Sequence, residues 1–183
     1  MLSQFSKEKE SDKLSLADLA EFPKDVYPVG RLDADSEGLL ILTNDKTLTE
    51  KLLNPVHKHG RTYLVQVEGD ISNEAMEKLR TGVSIRIKKE KHITAPAVAD
   101  IVVPPNWLPE RDPPVRYRAN LTTSWVQLTL IEGKNRQVRR MTAAVGFPTL
   151  RLVRSAIEGL SVKDVLPHSV AELRKDELMG KLF

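Results

Sequence analysis

The sequence predicts an α+β (mixed α/β) fold, with helices flanking one large sheet. Three observations carry this. Short stretches alternate apolar and polar side chains, as in TYLVQVE (62–68) and SWVQLTLI (124–131), the period of a half-buried strand. Between them stand capped stretches of helical period, DKTLTEKLL (45–53) and SNEAMEKLRTG (72–82). The turns are short, and no repeat, low-complexity tract or composition break marks a linker. Strands and helices interleaved in this way pack as layers around one sheet.

Each element has its own signal. SLADLAE (15–21) predicts a short helix with Ser15 as N-cap. Residues 26–30 and 39–43 predict strands, the second built on Leu39-Leu40-Ile41-Leu42. The helix over 45–53 ends at Asn54-Pro55, because a residue before proline leaves helical geometry. After strand 62–68, Ser72 opens a helix. Glu74 suits its first turn and Gly82 its stop. Residues 83–87 and 97–103 predict strands. Residues 104–120 hold five of the eleven prolines and predict a loop or extended arm. A strand over 124–131, a helix over 135–145, a strand over 149–153 and a helix in VAELRKDELMGKL (170–182) complete the elements.

Composition bounds the function. With 40% hydrophobic and 29% charged residues, the 183-residue chain has a globular profile and one domain's length. No apolar run spans a bilayer, and the polar N-terminus is no signal peptide. The absence of cysteine excludes disulfides and thiolate metal sites, which suits a cytoplasmic setting. Of four histidines, only His57 and His59 are close, and they read as a solvated basic loop rather than a metal site. A net charge of +3 permits a polyanionic partner without demanding one.

Two charged stretches carry the chemistry. GRLDADSEGLLILTND (30–45) sets Asp33, Asp35 and Glu37 just after Arg31 and just before an apolar run. Carboxylates at the rim of a sheet are placed where sites sit, although turn hydrogen bonds and a surface ion pair would also explain them. EGKNRQVRRM (132–141) holds Lys134, Arg136, Arg139 and Arg140 as it enters a helix, where cations oppose the macrodipole. An RNA or DNA backbone would compensate that cost. Val138, Met141, Ala144 and Val145 form the apolar stripe that fixes this helix to the core. Arg139 lies beside the stripe, so it is the partly buried arginine and needs a carboxylate partner. Lys134, Arg136 and Arg140 are left to face solvent or such a nucleic-acid backbone.

These stretches, with TYLVQVEG and the continuation to TLRLVRSAIEGL, resemble in order and spacing the three motifs of the ribosomal pseudouridine synthases of the RsuA family. The likeness runs from about residue 26 to residue 165. With its proline-rich insert, the chain is most similar to the short RluE type, which modifies large-subunit (23S) ribosomal RNA. The resemblance implies one catalytic domain over 1–183, with an active-site cleft across a mostly antiparallel sheet and no S4-like RNA-binding domain. Members usually begin with a strand ahead of the LSQF-like segment, so that strand is expected to be missing here. The implied catalytic residue is Asp33, with Arg139 as its partner. Tyr63 matches the tyrosine that packs on the target base, since a flipped base needs a flat neighbour. Arg31 is then placed to meet a phosphate or the flipped nucleotide. Isomerising uridine activates no water and changes no oxidation state, so neither a cofactor nor a metal is expected. A cytoplasmic monomer acting on ribosomal RNA is the implied setting. Two other readings stay open: an RNA-binding module without turnover, and a glycoside or nucleoside hydrolase with paired carboxylates, for which Asp35 is a poor second acid.

Overall fold

The computed structural model describes residues 1–6, 13–115, 122–166 and 169–183. In chain order come a 3-10 turn (Leu16–Asp18), β1 (Tyr27–Pro28), β2 (Glu37–Gly38), β3 (Leu42–Thr43) and α1 (Lys46–Leu53). A second 3-10 turn (Pro55–His57), β4 (Arg61–Glu68), α2 (Asn73–Thr81), β5 (Ser84–Ile87), β6 (Glu90–Ile93) and β7 (Val98–Val102) follow. β8 (Thr123–Leu130), α3 (Gln137–Ala144), β9 (Thr149–Ile157), β10 (Leu160–Ser161), a third 3-10 turn (Val162–Asp164) and α4 (Lys175–Leu182) end the chain.

The main sheet has six strands in the order β10-β9-β4-β8-β7, with β2 joined to β9 in parallel. Its remaining pairings are antiparallel. β1 with β3, and β5 with β6, form separate ribbons, so the single sheet expected from the sequence is one main sheet and two ribbons. The class is α+β.

Local signals explain most of the elements. Asp45 accepts hydrogen bonds from the Thr47 and Leu48 amides at 2.9 and 3.1 Å and starts α1. The Ser72 hydroxyl accepts from the Ala75 amide at 3.2 Å and starts α2, which stops at Gly82 with φ 112°. Of the predicted strand over 39–43, only Leu42–Thr43 is strand. Leu39 and Ile41 bury their side chains while Gly38 takes φ 101°, so the chain bends between β2 and β3. β9 runs four residues past the predicted Val153 to Ile157, because Arg154 and Ser155 are buried and hydrogen-bonded rather than terminal. The polar strand β6 and the two-residue β10 lack apolar alternation and escape sequence reading. The tail helix starts only at Lys175. Of the predicted arm over 104–120, the part up to 115 is loop, and the rest lies outside the described residues.

Two cores result. Val65 and Val67 of β4, Val126 and Leu128 of β8, Met76 and Leu79 of α2 and Met141 of α3 fill the larger. Val29, Leu39, Ile41, Leu48, Leu52, Ile157, Leu160 and Leu182 fill the smaller, beneath the segment that carries the acidic motif. Each such fully buried side chain contributes roughly 1.5–3 kcal/mol. No helix among the described residues is long and apolar enough to cross a membrane.

Candidate active site

The acidic loop between β1 and β2 is fastened at both ends. At its start, the Leu32 amide donates to Ser3 Oγ at 2.9 Å, and that hydroxyl donates to the Leu32 carbonyl at 3.2 Å. Inside it, the Ser36 amide donates to the Asp33 carbonyl at 2.9 Å and closes a turn. At its exit, Glu37 takes a two-point fork from buried Arg151, Nε at 3.0 Å and Nη2 at 2.7 Å. Arg111 Nε adds a longer contact to Glu37 at 3.4 Å. Leu39 then exchanges two hydrogen bonds with Arg154, its amide to the Arg154 carbonyl at 2.9 Å and Arg154 Nε to its own carbonyl at 2.7 Å. The loop therefore rests on β9 as on a rail, with Glu37 tying its exit to that strand.

A cleft of about 370 Å³ opens beside the loop. Arg31, Asp33, Tyr63, Lys134, Arg136 and Arg154 all line it, brought from the acidic loop, β4, the approach to α3 and β9. Tyr63 and Arg154 are register partners across β4 and β9, and the tyrosine hydroxyl faces the guanidinium. Burial pushes the Arg154 pKa down, and Tyr63 partly offsets this.

The arginines divide their work differently from the sequence expectation. α3 begins at Gln137, and Arg136 sits just before it as a left-handed N-cap with φ 50°, so it does not share a helical face with Arg139 and Arg140. Arg136 donates to both oxygens of Asp35, at 2.9 and 3.0 Å, and its Nη1 stands 3.5 Å from Asp33 Oδ2. Arg139 is the partly buried one, with its side chain 13% exposed, as expected from its place beside the stripe. Its nearest carboxylate is nonetheless Asp35, at 3.3 Å, and its Nη2 also donates to the Asp35 carbonyl at 2.9 Å. Its distance to Asp33 is 4.0 Å. Two arginines thus flank Asp33, and Asp35 positions both. Arg140 turns back to the protein: its guanidinium donates to the Asn135 and Arg86 carbonyls at 3.0 and 2.5 Å, so a free RNA-facing side chain is not what the structure holds there. Lys134 is exposed at the cleft.

The Arg136 hydrogen bonds hold the Asp35 carboxyl below its usual range, with burial opposing them and Arg139 assisting. A depressed folded-state pKa stabilises the fold above the unfolded value of about 3.9 and loses that stability as pH falls through the folded value. The melting temperature of Asp35→Asn is therefore expected to lie below that of the unmodified chain at neutral pH and to converge with it as pH falls from the unfolded carboxyl value of about 3.9 through the lower folded-state value. A gap that stays constant into acid would remove the ion pair as its source.

Sequence reasoning missed Ser3, Arg151 and Arg154. The two arginines did leave a signal, since TLRLVRSAI places cations within an otherwise apolar strand. His59 also differs from its reading as a solvated loop residue. Its side chain is 10% exposed, and Nδ1 donates to Glu158 Oε1 at 3.0 Å.

Comparison with known proteins points in one direction. The family model of RNA pseudouridylate synthases matches residues 1–144. The chain is 49% identical over 172 residues to ribosomal large subunit pseudouridine synthase E of Vibrio vulnificus (strain CMCP6), covering 94% of this chain and 70% of that protein. It is 49% identical over 152 residues to the protein of that name from Vibrio parahaemolyticus serotype O3:K6, covering 82% of this chain and 61% of the relative. For the protein of that name from Xanthomonas axonopodis pv. citri (strain 306), identity is 50% over 157 residues, covering 86% of this chain and 80% of the relative. The chain thus spans between 61% and 80% of these relatives' length. Among solved structures, a pseudouridylate synthase crystal structure superposes with a TM-score of 0.71 at 24% identity, covering 92% of this chain and 65% of that one.

Proposed function

The chain belongs to the RNA pseudouridylate synthase family, and on that premise we propose that it isomerises a uridine of large-subunit ribosomal RNA to pseudouridine, with Asp33 as the catalytic residue. One observation supports this above the others. Asp33, Tyr63 and Arg136 come from three separate parts of the chain and meet in one cleft. In the reaction the N1–C1′ bond breaks, the uracil turns, and a C5–C1′ bond forms. C5 gives up its proton and N1 gains one, so atoms balance without an added reactant. Asp33 acts at the sugar, either by attacking C1′ or by taking the 2′ proton. On either route the bonding pair leaves with uracil. Arg136 and Arg139, held by Asp35, keep positive charge beside the Asp33 carboxylate. Tyr63 offers its ring to the flipped base, and Arg31 and Lys134 meet the nucleotide's phosphates at the cleft's edge.

The hydrolase alternative needs a second carboxyl that stays protonated to serve as an acid. Asp35 is the reverse, since the Arg136 fork holds it ionised. The test is pseudouridine mapping by carbodiimide-block primer extension on unmodified large-subunit ribosomal RNA, with and without the protein. One new protein-dependent stop is expected. Release of free uracil, or no new stop, would overturn the reading.

The role of Tyr63 has its own test. Tyr63→Phe is expected to keep a useful fraction of turnover. Tyr63→Leu should lose more, because base–aromatic stacking is worth roughly 1–3 kcal/mol, a factor of about 5 to 150. Equal losses would transfer the role to the hydroxyl that faces Arg154.

A further inference from the structure

The β5–β6 ribbon is built at odds with its own stability. Ser84–Ile93 reads SIRIKKEKHI, four cations to one carboxylate. Register places Arg86 directly opposite Lys91, and both are exposed. Like charges at directly opposed positions of an antiparallel pair repel. At the tip, Lys88 takes φ 55°, a left-handed conformation that glycine or asparagine adopts with less strain. Lys89 follows it, also exposed. Among the described residues, the side chains of Arg86, Lys88, Lys89 and Lys91 have no hydrogen-bond or ion-pair partner. Stability alone would select none of these choices.

The ribbon's inner face explains how it is held. Ile85 is buried and Ile87 packs on the larger core, so the cations are confined to the outer face and the tip. Both strands are tied to the catalytic cleft. Arg140 of α3 donates to the Arg86 carbonyl at 2.5 Å. His92 Nε2 meets Glu132 Oε2 at 3.1 Å, and Glu132, a wall of the cleft, also accepts from the Ala95 amide at 2.9 Å. Arg140 is thus a strut for cations that stand elsewhere.

We propose that this ribbon is an RNA-docking arm, with Arg86, Lys91 and the tip pair Lys88 and Lys89 taking phosphates of the substrate RNA beside the target uridine. The proposal rests on the reading of RNA as substrate. Phosphates remove the Arg86–Lys91 repulsion and give the strained lysine tip a purpose. A protein partner would need a central apolar or aromatic anchor. Among the described residues of this face, Ile93 is the one large hydrophobic that stands exposed, at the ribbon's base.

The test is the salt dependence of binding to deproteinised large-subunit ribosomal RNA by the full chain and by a triple variant, Lys88→Ala with Lys89→Ala and Lys91→Ala. Each lost phosphate contact removes about 0.7–0.9 from the slope of log affinity against log salt, so the slope should fall by roughly 2 to 3. Affinity should drop, while the melting temperature holds or rises as the repulsion is relieved. Arginine at the same three positions should keep the slope. An alanine variant that folds and binds with the original slope overturns the arm. Conversion of uridine with an unchanged slope sinks the arm alone. A reduced slope without any pseudouridine formation sinks the enzymatic reading and leaves the arm standing.

Discussion

Asp33→Asn is expected to abolish pseudouridine formation, by on the order of 10⁴-fold or more, while the protein stays folded and binds RNA nearly as before. The substitution keeps the shape of the side chain and removes the charge that either form of chemistry at the sugar requires. The fold should tolerate it because Asp33 stands 3.5 and 4.0 Å from its two arginines, whereas Asp35 holds both more closely. The arginines therefore keep a carboxylate partner when Asp33 loses its charge. Asp35→Asn is the informative contrast. It releases Arg136 from its fork and costs stability, yet it should retain most turnover. Primer-extension mapping and a melting curve on both variants decide the matter. Substantial conversion by Asp33→Asn, with deamidation excluded, would remove the assignment. Equal inactivity of Asp35→Asn would mean that the two carboxylates share the role.

Gly38→Ala is expected to be the most damaging single methyl in the chain, costing roughly 3 kcal/mol or more and taking activity with it. Gly38 has φ 101°, and a Cβ there would lie 2.3 Å from the Arg154 carbonyl oxygen and 2.8 Å from its nitrogen. Both are backbone atoms of β9, which is clamped between β4 and β2, so neither can yield cheaply. The strand carrying the acidic loop would lift from its rail and displace Asp33 from Tyr63. Gly180→Ala is the control. Nothing lies within 4 Å of its added Cβ, so it should be neutral or stabilising by about 0.4–1 kcal/mol. Urea melts of the two variants give the comparison. If Gly38→Ala unfolds at the same midpoint as Gly180→Ala, the close approach of β2 to β9 is wrong.

The sequence by itself determined the class of fold, the helix starts at Asp45 and Ser72, the long strands β4 and β8, and membership of the family. These are local properties: caps, periodicity and motif spacing act within a few residues. It also singled out the acidic stretch with Asp33 and the basic stretch with Arg136 and Arg139, because charge within a few positions of an apolar run is visible in one dimension, whereas Tyr63 came from the family resemblance alone. The tertiary structure alone decided how those charges pair. Arg136 and Arg139 are three residues apart, but the left-handed turn at Arg136 takes it off the helix and puts it over Asp33 and Asp35, a hundred residues earlier in the chain. It also decided that Leu39–Leu42 bends instead of running as one strand, since Gly38 must pass against Arg154 before Leu39 and Ile41 reach their core. Arg154 and Arg151 read as interruptions of a strand until the loop that they grip lies beside them. Arg140 reads as a ligand for RNA until Arg86 comes within its reach. Pairings between distant segments depend on which backbone groups and charges the packed sheet leaves in contact, and no local pattern encodes that.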